Sequence, residues 1–262
     1  MRLLEAQKIT MQFGGLKAVD GLDLHINKGE LMGLIGPNGA GKTTVFNMLT
    51  GVYTPTSGDV IFNGQSIKGK KPFEISHLGI TRTFQNIRLF RDLTVLDNVL
   101  IAAGQHVHYG MGAAVLQTSK FLSEESALRK KCLDLLSIFN LEKKANEESS
   151  SLPYGEQRKL EIVRALATDP QLICLDEPAA GMNHNETHHL METIAKIRKD
   201  FNLTVLLIEH DMKLVMGICE RITVLDHGCK IEEGTPKQIQ TSAKVIEAYL
   251  GTDEELHGGH HG

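Results

Sequence analysis

The sequence predicts an α/β fold with a parallel central sheet, an N-terminal antiparallel β subdomain and an inserted α-helical subdomain. Three observations predict it. Glycines separate short strands of alternating polarity in the first thirty residues, which is typical of antiparallel pairing. A helical pattern fills the middle third of the chain, from about residue 84 to 151. Buried strands and helices then alternate, which is typical of a parallel sheet covered on both faces.

The first strand of the predicted parallel sheet, Leu31–Ile35, leads into a glycine-rich loop of the form G-x-x-x-x-G-K-[ST]. The loop and the first helical residue after it are Gly36, Pro37, Asn38, Gly39, Ala40, Gly41, Lys42, Thr43 and Thr44. Glycines let successive backbone N–H groups turn inward around phosphate oxygens, and the helix dipole adds to their attraction for an anion. Lys42 would neutralise the β and γ oxygens, and the Thr43 hydroxyl would hold Mg²⁺. The loop therefore predicts binding of a nucleoside di- or triphosphate.

Composition narrows the class of protein. A chain of 262 residues with 41% hydrophobic content can bury one large core or two small ones. No run of 18 apolar residues occurs, so we expect a soluble chain that does not cross a membrane by itself. The formal net charge of −4 disfavours nucleic acid as a partner. The four cysteines have no C-x-x-C spacing, which indicates reduced thiols in a cytoplasm.

Periodicity and capping residues predict the remaining elements. Thr94 is expected to cap a helix together with Asp97, and apolar residues recur on one helical face over residues 128–139. The charged residues 142–148 indicate a solvated connector. The expected elements are strands over 59–62, 81–84, 172–175 and 204–208 and helices over 156–168 and 186–199.

Polar residues follow two of the buried strands at their carboxyl ends. Asp176 and Glu177 come directly after the apolar run 172–175, and His210 follows the strand 204–208. Ligands bind at this edge of open α/β sheets, so Asp176 could hold Mg²⁺ through a water while Glu177 polarises an attacking water. His210 could reach the γ-phosphate. Gln85, at the boundary between the two subdomains, could touch both the metal and the attacking water.

These elements, in this order, resemble the ATP-binding cassette (ABC) family over nearly the whole chain, from about residue 3 to 250. The resemblance implies a P-loop NTPase core of RecA-like type that binds ATP with Mg²⁺. It assigns Gln85 to the Q-loop, Glu177 to the catalytic carboxylate and His210 to the H-loop. Phe13 matches the aromatic residue that stacks on adenine, with Val19 alongside.

The segment 152–157, L-P-Y-G-E-Q, falls where the family's L-S-G-G-Q signature belongs. Pro153 and Tyr154 replace Ser and Gly, and Glu156 replaces Gln, so contact with a γ-phosphate must depend on the Gly155 N–H and the start of the following helix. We expect Tyr154, Gly155 and Glu156 to face nucleotide. The D-loop differs as well, since residues 180–183 read A-G-M-N where S-A-L-D is common.

The resemblance is strongest to one subfamily, the ATP-binding subunits of branched-chain amino acid importers. Urea or short-amide importers and the ATPase of lipopolysaccharide export share much of the pattern. A non-transport cassette ATPase is the alternative of another class, and such proteins usually have two cassettes or a long coiled coil. A small nucleotide kinase would need neither a signature segment nor an H-loop.

The resemblance also implies an organisation and a set of partners. We expect a single ABC ATPase domain over 1–251, with a core of 1–84 and 156–240, a helical subdomain of 85–155, a C-terminal helix of 241–251 and a disordered tail of 252–262. The expected partners are a second ATPase subunit, identical or paralogous, and membrane permease subunits that work with a solute-binding protein. The chain would lie on the cytoplasmic face of the cell membrane, with Leu89, Phe90 and residues 105–121 as candidate permease contacts.

Overall fold

The computed structural model describes residues 1–106 and 119–249. Contacts between residues divide the chain into two compact units. The first unit comprises Met1–Ile80, Gln171–Glu177 and the described residues from Ile194 onward. The second unit comprises Thr81–Pro170, within its described part, and Pro178–Thr193.

The strands in the described part of the chain are β1 (Arg2–Phe13), β2 (Leu16–Asn27), β3 (Leu31–Ile35), β4 (Ser57–Phe62), β5 (Gln65–Ser66), β6 (Ile80–Arg82), β7 (Leu172–Asp176), β8 (Thr204–Ile208), β9 (Arg221–Asp226) and β10 (Cys229–Gly234). The helices there are α1 (Lys42–Leu49), α2 (Pro72–Leu78), α3 (Val95–Ala103), α4 (Ser119–Ile138), α5 (Tyr154–Leu166), α6 (His184–Asp200), α7 (Met212–Ile218), α8 (Pro236–Gln240) and α9 (residues 243–249).

The first unit contains the antiparallel sheet that the sequence predicts. Its strand order is β2-β1-β4-β5, and β1 pairs antiparallel with both β2 and β4. Asn63 and Gly64 join β4 to β5 with φ angles of 49° and 77°. Two positive φ angles in a two-residue loop are the geometry of a type I′ hairpin turn, for which Asn-Gly is preferred. Asn63 and Gly64 therefore close a β4–β5 hairpin.

The second sheet has the strand order β10-β9-β3-β8-β7-β6. β3 pairs parallel with β8 and β9, and β7 pairs parallel with β8, whereas β10 runs antiparallel to β9. Every residue of β3, β7 and β8 is buried, because these strands are covered on both faces. This burial explains why their sequences read as continuous apolar runs, and it confirms the predicted parallel core.

The second unit is built around α3, α4 and α5, which pack against one another. The Thr94 hydroxyl accepts a hydrogen bond from the Asp97 N–H at 3.0 Å, so the predicted cap of α3 is confirmed. On α4, the predicted apolar face buries Cys132, Leu135 and Leu136. A covered helical face of this kind holds the unit together through hydrophobic burial.

Two sequence expectations differ from the structure of this unit. Residues 83–93 are not helical, although the helical pattern was expected to begin near residue 84. β6 ends at Arg82 rather than at Phe84. The cause is that side chains of α5 supply hydrogen bonds to this segment, with Arg158 donating to the Phe84 carbonyl at 2.8 Å. The segment therefore needs no helical bonds of its own.

The unit boundary also differs from the expected helical subdomain of 85–155. α5 lies with α3 and α4 in the second unit because its buried face packs against those helices. Residues 178–193 also belong to the second unit.

The expected C-terminal helix is observed over residues 243–249. The expected tail of 252–262 and most of the candidate permease segment 105–121 lie outside the described residues.

Candidate active site

The glycine-rich loop after β3 has a backbone that requires glycine at two positions. Gly36 and Gly41 have φ angles of 153° and 97°, and a Cβ at Gly36 would lie 2.2 Å from the Leu225 carbonyl oxygen. A Cβ at Gly41 would lie 2.6 Å from the Ala18 carbonyl oxygen. Real Cβ atoms do not approach backbone so closely, so only glycine fits. The loop is thus held against β2 and β9 in the open, inward-turned form that cradles phosphate.

Lys42 folds over this loop. Its ammonium group donates hydrogen bonds to the Gly36 carbonyl at 2.6 Å and to the Pro37 carbonyl at 2.9 Å. Burial lowers the pKa of Lys42, although the charges of Glu177 and Asp176 act in the opposite direction. A partly desolvated ammonium whose partners are mainly carbonyl oxygens has unmet attraction for anions. Lys42 therefore has the position and the electrostatics expected of a phosphate ligand.

The carboxyl ends of β7 and β8 bring together the acidic pair and the histidine. Asp176 pairs in register with Ile208, and Asp176 is 3% exposed. The Nδ1 atom of His210 lies 3.3 Å from a carboxylate oxygen of Glu177. Asp176, Glu177 and His210 lie close together at one edge of the sheet, as the sequence predicts. Parallel strands that pair side by side make their ends neighbours, which explains the result.

Glu177 has an unusual backbone conformation. Its φ angle is 46°, and its N–H donates to the Ile208 carbonyl at 2.9 Å. A side chain other than glycine costs about 1–3 kcal/mol in this left-handed region. Strain of this kind is found at sites where the direction of a side chain matters more than stability. In this conformation the Glu177 carboxylate lies beside the His210 ring.

A tight turn between β9 and β10 is hydrogen-bonded to the phosphate loop, and the sequence analysis did not predict this contact. The Gly228 N–H donates to the Ala40 carbonyl at 3.1 Å, and the Asp20 N–H donates to the Gly228 carbonyl at 3.0 Å. Gly228 has a φ angle of 78°, and a Cβ there would lie 2.7 Å from the Ala18 oxygen. The Asp-His-Gly sequence of residues 226–228 is a turn signal that could have indicated this hairpin.

Tyr249, in α9, is a second residue that sequence reasoning missed. Burial raises the pKa of its hydroxyl to about 12, while the nearby backbone of Gly36 acts in the opposite direction. α9 therefore reaches the first glycine of the phosphate loop. The two residues are separated by more than two hundred positions, so no local pattern indicates their contact.

Phe13 and Val19, expected beside adenine, occupy different environments. Phe13 is 44% exposed at the end of β1 and makes an edge-to-face contact with Tyr53, with ring centroids 5.4 Å apart. An exposed ring held by a second ring can accept a stacked base on its free face. Val19 is fully buried in the core, and one of its methyl carbons lies 3.3 Å from where a Cβ of Gly41 would be. Its side chain lies under the loop and not on its surface.

The remaining predicted site residues lie in the second unit. Gln85 is exposed, and its carbonyl accepts a hydrogen bond from Arg158. Tyr154 begins α5 and is 48% exposed, whereas Gly155 and Glu156 are half-buried. Lys144, in the connector that was expected to be solvated, binds the Glu156 carboxylate at 2.6 Å.

In the described stretches of the chain, no helix is both long and apolar enough to cross a membrane.

Comparison with known protein families identifies the family to which this site belongs. A model of the ABC transporter family matches residues 19–180. A second model, of the branched-chain amino acid ATP-binding cassette transporters, matches residues 229–255.

Curated relatives match along almost their whole length. The chain is 47% identical to the high-affinity branched-chain amino acid transport ATP-binding protein LivG of Escherichia coli K12, over 95% of this chain and 98% of LivG. It is 46% identical to BraF of Pseudomonas aeruginosa over the same shares. The probable LivG of Archaeoglobus fulgidus is 35% identical over 99% of this chain and all of that protein.

Solved structures of ATP-binding cassettes have a similar fold. An ATP-binding cassette of an ABC transporter in its ADP conformation has 32% identity and a TM-score of 0.83, over 96% of this chain and 99% of that one. The dimeric structure of a bacterial ABC transporter cassette has 26% identity and a TM-score of 0.76, over 89% and 99%. With the phosphate loop, the acidic pair and the strand-end histidine in place, the chain belongs to the ABC transporter family of ATP-binding cassettes.

Proposed function

We propose that this chain is the ATP-binding and ATP-hydrolysing subunit of an ABC importer for branched-chain or other hydrophobic amino acids. The observation that carries the hydrolytic part is the strained Glu177, whose carboxylate lies 3.3 Å from His210. The amino-acid part is supported by the similarity to LivG and BraF, which are named for branched-chain amino acid transport.

ATP would bind at the phosphate loop of the first unit. Backbone N–H groups between Gly36 and Thr43 would surround the phosphate oxygens, and the Lys42 ammonium would move from its two carbonyl partners to the β and γ oxygens. The free face of Phe13 would stack on adenine. The loop suits a phosphate chain because its backbone passes so close to the Leu225 and Ala18 carbonyl oxygens that only glycine fits at Gly36 and Gly41, as in other phosphate-binding loops of this pattern.

Mg²⁺ would be held by the Thr43 hydroxyl and by Asp176, and Gln85 would act in ATP hydrolysis as the Q-loop glutamine that the resemblance to the family implies. The donor set is oxygen, which suits this hard cation. Asp176 is almost fully buried, and a buried carboxylate is stabilised by a cation beside it. Bound Mg²⁺ supplies charge neutralisation on the phosphates.

In the hydrolytic step, the Glu177 carboxylate orients a water and accepts its proton as the water attacks the γ-phosphorus. The bond between that phosphorus and the β–γ bridging oxygen breaks, so that ADP leaves and phosphate is formed. His210 contacts the γ-phosphate from the neighbouring strand end. Lys42 stabilises the charge that spreads over the phosphate oxygens. These roles follow from position, since the end of β7 and the end of β8 lie side by side.

The site would be completed by a second cassette subunit. The start of α5 carries Tyr154, Gly155 and Glu156, and a helix N-terminus attracts an anion. We propose that this terminus meets the γ-phosphate held by a facing copy or paralogue. Dimeric cassette structures exist among the chain's relatives in fold, which supports the arrangement. ATP would hold the two subunits together, and its hydrolysis would release them.

Permease subunits would dock on the second unit. A cavity of about 320 Å³ there is lined by Thr81, Arg82, Phe84, Arg88 and Arg164, among others. Phe90, which is 46% exposed, packs under the Arg164 guanidinium at 5.0 Å from the ring centroid. An exposed aromatic beside a cavity is a common anchor point for a partner helix. We propose that this surface receives a cytoplasmic helix of the permease, with the chain at the inner face of the membrane and a solute-binding protein acting on the other side.

The transport proposal is tested by deleting the gene in its own host and measuring uptake of radiolabelled leucine, isoleucine and valine. Uptake is expected to fall, to return with the wild-type gene and to stay low with Glu177→Gln. Glu148→Gln, an equal charge change at an exposed site, should restore uptake like the wild type. Unchanged amino-acid uptake together with reduced urea uptake, or with defective lipopolysaccharide export, would overturn the substrate assignment.

A further inference from the structure

A buried cation lies near the start of α5. Arg158 is 2% exposed, and its guanidinium donates to the Phe84 carbonyl at 2.8 Å and to the Gln85 carbonyl. It also bonds the Tyr154 hydroxyl at 3.0 Å and lies 3.4 Å from the Glu161 carboxylate. A buried guanidinium needs partners for most of its donors, and two of the partners of Arg158, the Phe84 and Gln85 carbonyls, lie outside α5.

The segment held by Arg158 has little regular structure of its own. The Phe84 N–H donates to a Glu161 oxygen at 3.3 Å, and Arg164 donates to the Arg88 carbonyl. Arg88 in turn stacks on the Phe84 ring at 4.2 Å. The backbone of residues 84–88 is therefore held by side chains of α5, and Arg158 binds the backbone carbonyl of Gln85 itself.

Tyr154 connects the same helix to a third segment. A Cβ at Gly181, where φ is 77°, would lie 2.8 Å from a carbon of the Tyr154 ring. The chain departs from the common ABC pattern at both positions, with Tyr in place of Gly at 154 and Gly in place of Ala at 181. The two departures fit each other, because the ring occupies space that a side chain at 181 would need. The hydroxyl of that ring then bonds Arg158.

We propose that Arg158 and Tyr154 are positioning residues that fasten the Gln85 segment and the Gly181 segment to the start of α5, so that the three move together. They act on hydrolysis only through Gln85, whose backbone carbonyl Arg158 holds. The proposal rests on the role of Gln85 in ATP hydrolysis given above. A fixed carbonyl at residue 85 narrows the range of places that its side-chain amide can reach, and small displacements of a positioning group cost large factors in rate.

The test is a double-mutant cycle between positions 158 and 85, measured as steady-state ATPase activity. Arg158→Gln is expected to lower kcat by roughly 10- to 100-fold with less than about 3-fold change in KM. In a Gln85→Ala background, the same substitution is expected to have less than about 2-fold further effect. Lys159→Met removes a charge from the next residue of α5 and should behave like the wild type. If Arg158→Gln lowered kcat by the same factor with and without the Gln85 side chain, the two residues would act independently and the proposal would be overturned.

A second variant covers the case in which Arg158→Gln does not fold. Tyr154→Phe keeps the ring against Gly181 and removes only the hydroxyl, on an exposed side chain, so we expect a loss in kcat of roughly 2- to 10-fold that also vanishes in the Gln85→Ala background. A loss that persists there would contradict the proposal.

Amide hydrogen exchange provides a readout that does not depend on catalysis. Tyr154→Phe should speed exchange over residues 84–88 and leave β3 and β8 unchanged. Unchanged exchange at 84–88 would overturn the positioning role even if the wild-type chain hydrolyses ATP. Absence of ATPase activity in the wild type, with faster exchange in the variant, would instead refute the proposed function and leave the fastening in place.

Discussion

Replacing Glu177 with glycine is expected to stabilise the protein while abolishing ATP hydrolysis. Glu177 has a φ angle of 46°, a conformation in which its Cβ crowds the neighbouring carbonyl. Glycine has no Cβ and adopts this conformation freely. The substitution also removes the carboxylate that we assign to the attacking water. Stability and activity should therefore change in opposite directions.

The size of the stability gain follows from three terms. Relief of the left-handed strain contributes about 1–3 kcal/mol. Glycine also loses more conformational entropy on folding, which reduces this gain in stability by roughly 0.5–1 kcal/mol. The lost contact with His210 is worth about 0–1 kcal/mol, because the His210 side chain is 64% exposed. The net gain is about 1 kcal/mol, which corresponds to a rise in Tm of roughly 2–4 °C for a chain of this size.

Thermal unfolding without nucleotide, followed by calorimetry, measures this gain. Glu177→Gln keeps the strain and removes the charge, so its Tm should stay near that of the wild type while its activity falls. Asn140→Gly makes the same backbone change at a φ of 58°, and asparagine tolerates this region, so it should change Tm little and leave ATPase activity unaltered. A lower Tm for Glu177→Gly, or an equal gain for Asn140→Gly, would refute the reasoning.

Three further predictions concern the first unit. Lys42→Met should weaken ATP binding by roughly 10- to 100-fold, because a charge-assisted contact with phosphate is lost; unchanged affinity by calorimetry would contradict the cradle. Gly41→Ala should destabilise the protein by about 2–3 kcal/mol in urea unfolding, against about 1 kcal/mol for Gly39→Ala, whose Cβ would meet no atom within 4 Å. Arg221→Met should cost about 2–4 kcal/mol at pH 7, because Arg221 binds Glu30 at 2.7 and 2.9 Å and also binds Glu233. Burial raises the pKa of both carboxyls, but opposing contacts outweigh it and hold each pKa below the usual value of a glutamate. For Glu30 these contacts are mainly with Arg221, and for Glu233 they are with Lys230 and then Arg221. The stability they give is present above pH 4.5 and is lost as pH falls through the lowered pKa, so acid unfolding should be shallower in the variant, and an unchanged acid profile would refute this.

Much of the fold could be predicted from sequence because its signals are local. β3, β7 and β8 are fully buried, so their residues form unbroken apolar runs. The loop at Gly36 carries a pattern that only glycine geometry satisfies. The proximity of Glu177 and His210 followed from a general rule about the ends of parallel strands. In each case the signal itself, an apolar strand together with the loop or polar residue that follows it, lies within a few positions of the chain.

The rest depends on contacts between residues that are far apart in sequence. Arg158 binds the carbonyl of Phe84 from 74 positions away, so neither periodicity nor a motif indicated that residues 83–93 would be non-helical. Tyr249 reaches Gly36 from the far end of the chain. The backbone strain at Glu177 is set by the turn that follows β7, and a glutamate gives no sign of positive φ in a sequence.

The central claim is that Glu177 turns a nucleotide cradle into a hydrolytic site. Phosphate release from Mg·ATP by the purified chain, compared between the wild type and Glu177→Gln with ATP affinity measured alongside, tests it most directly. The account predicts that the wild type hydrolyses ATP and that the variant is slower by roughly 10²- to 10⁴-fold with unchanged affinity. Equal turnover by the two proteins would contradict it.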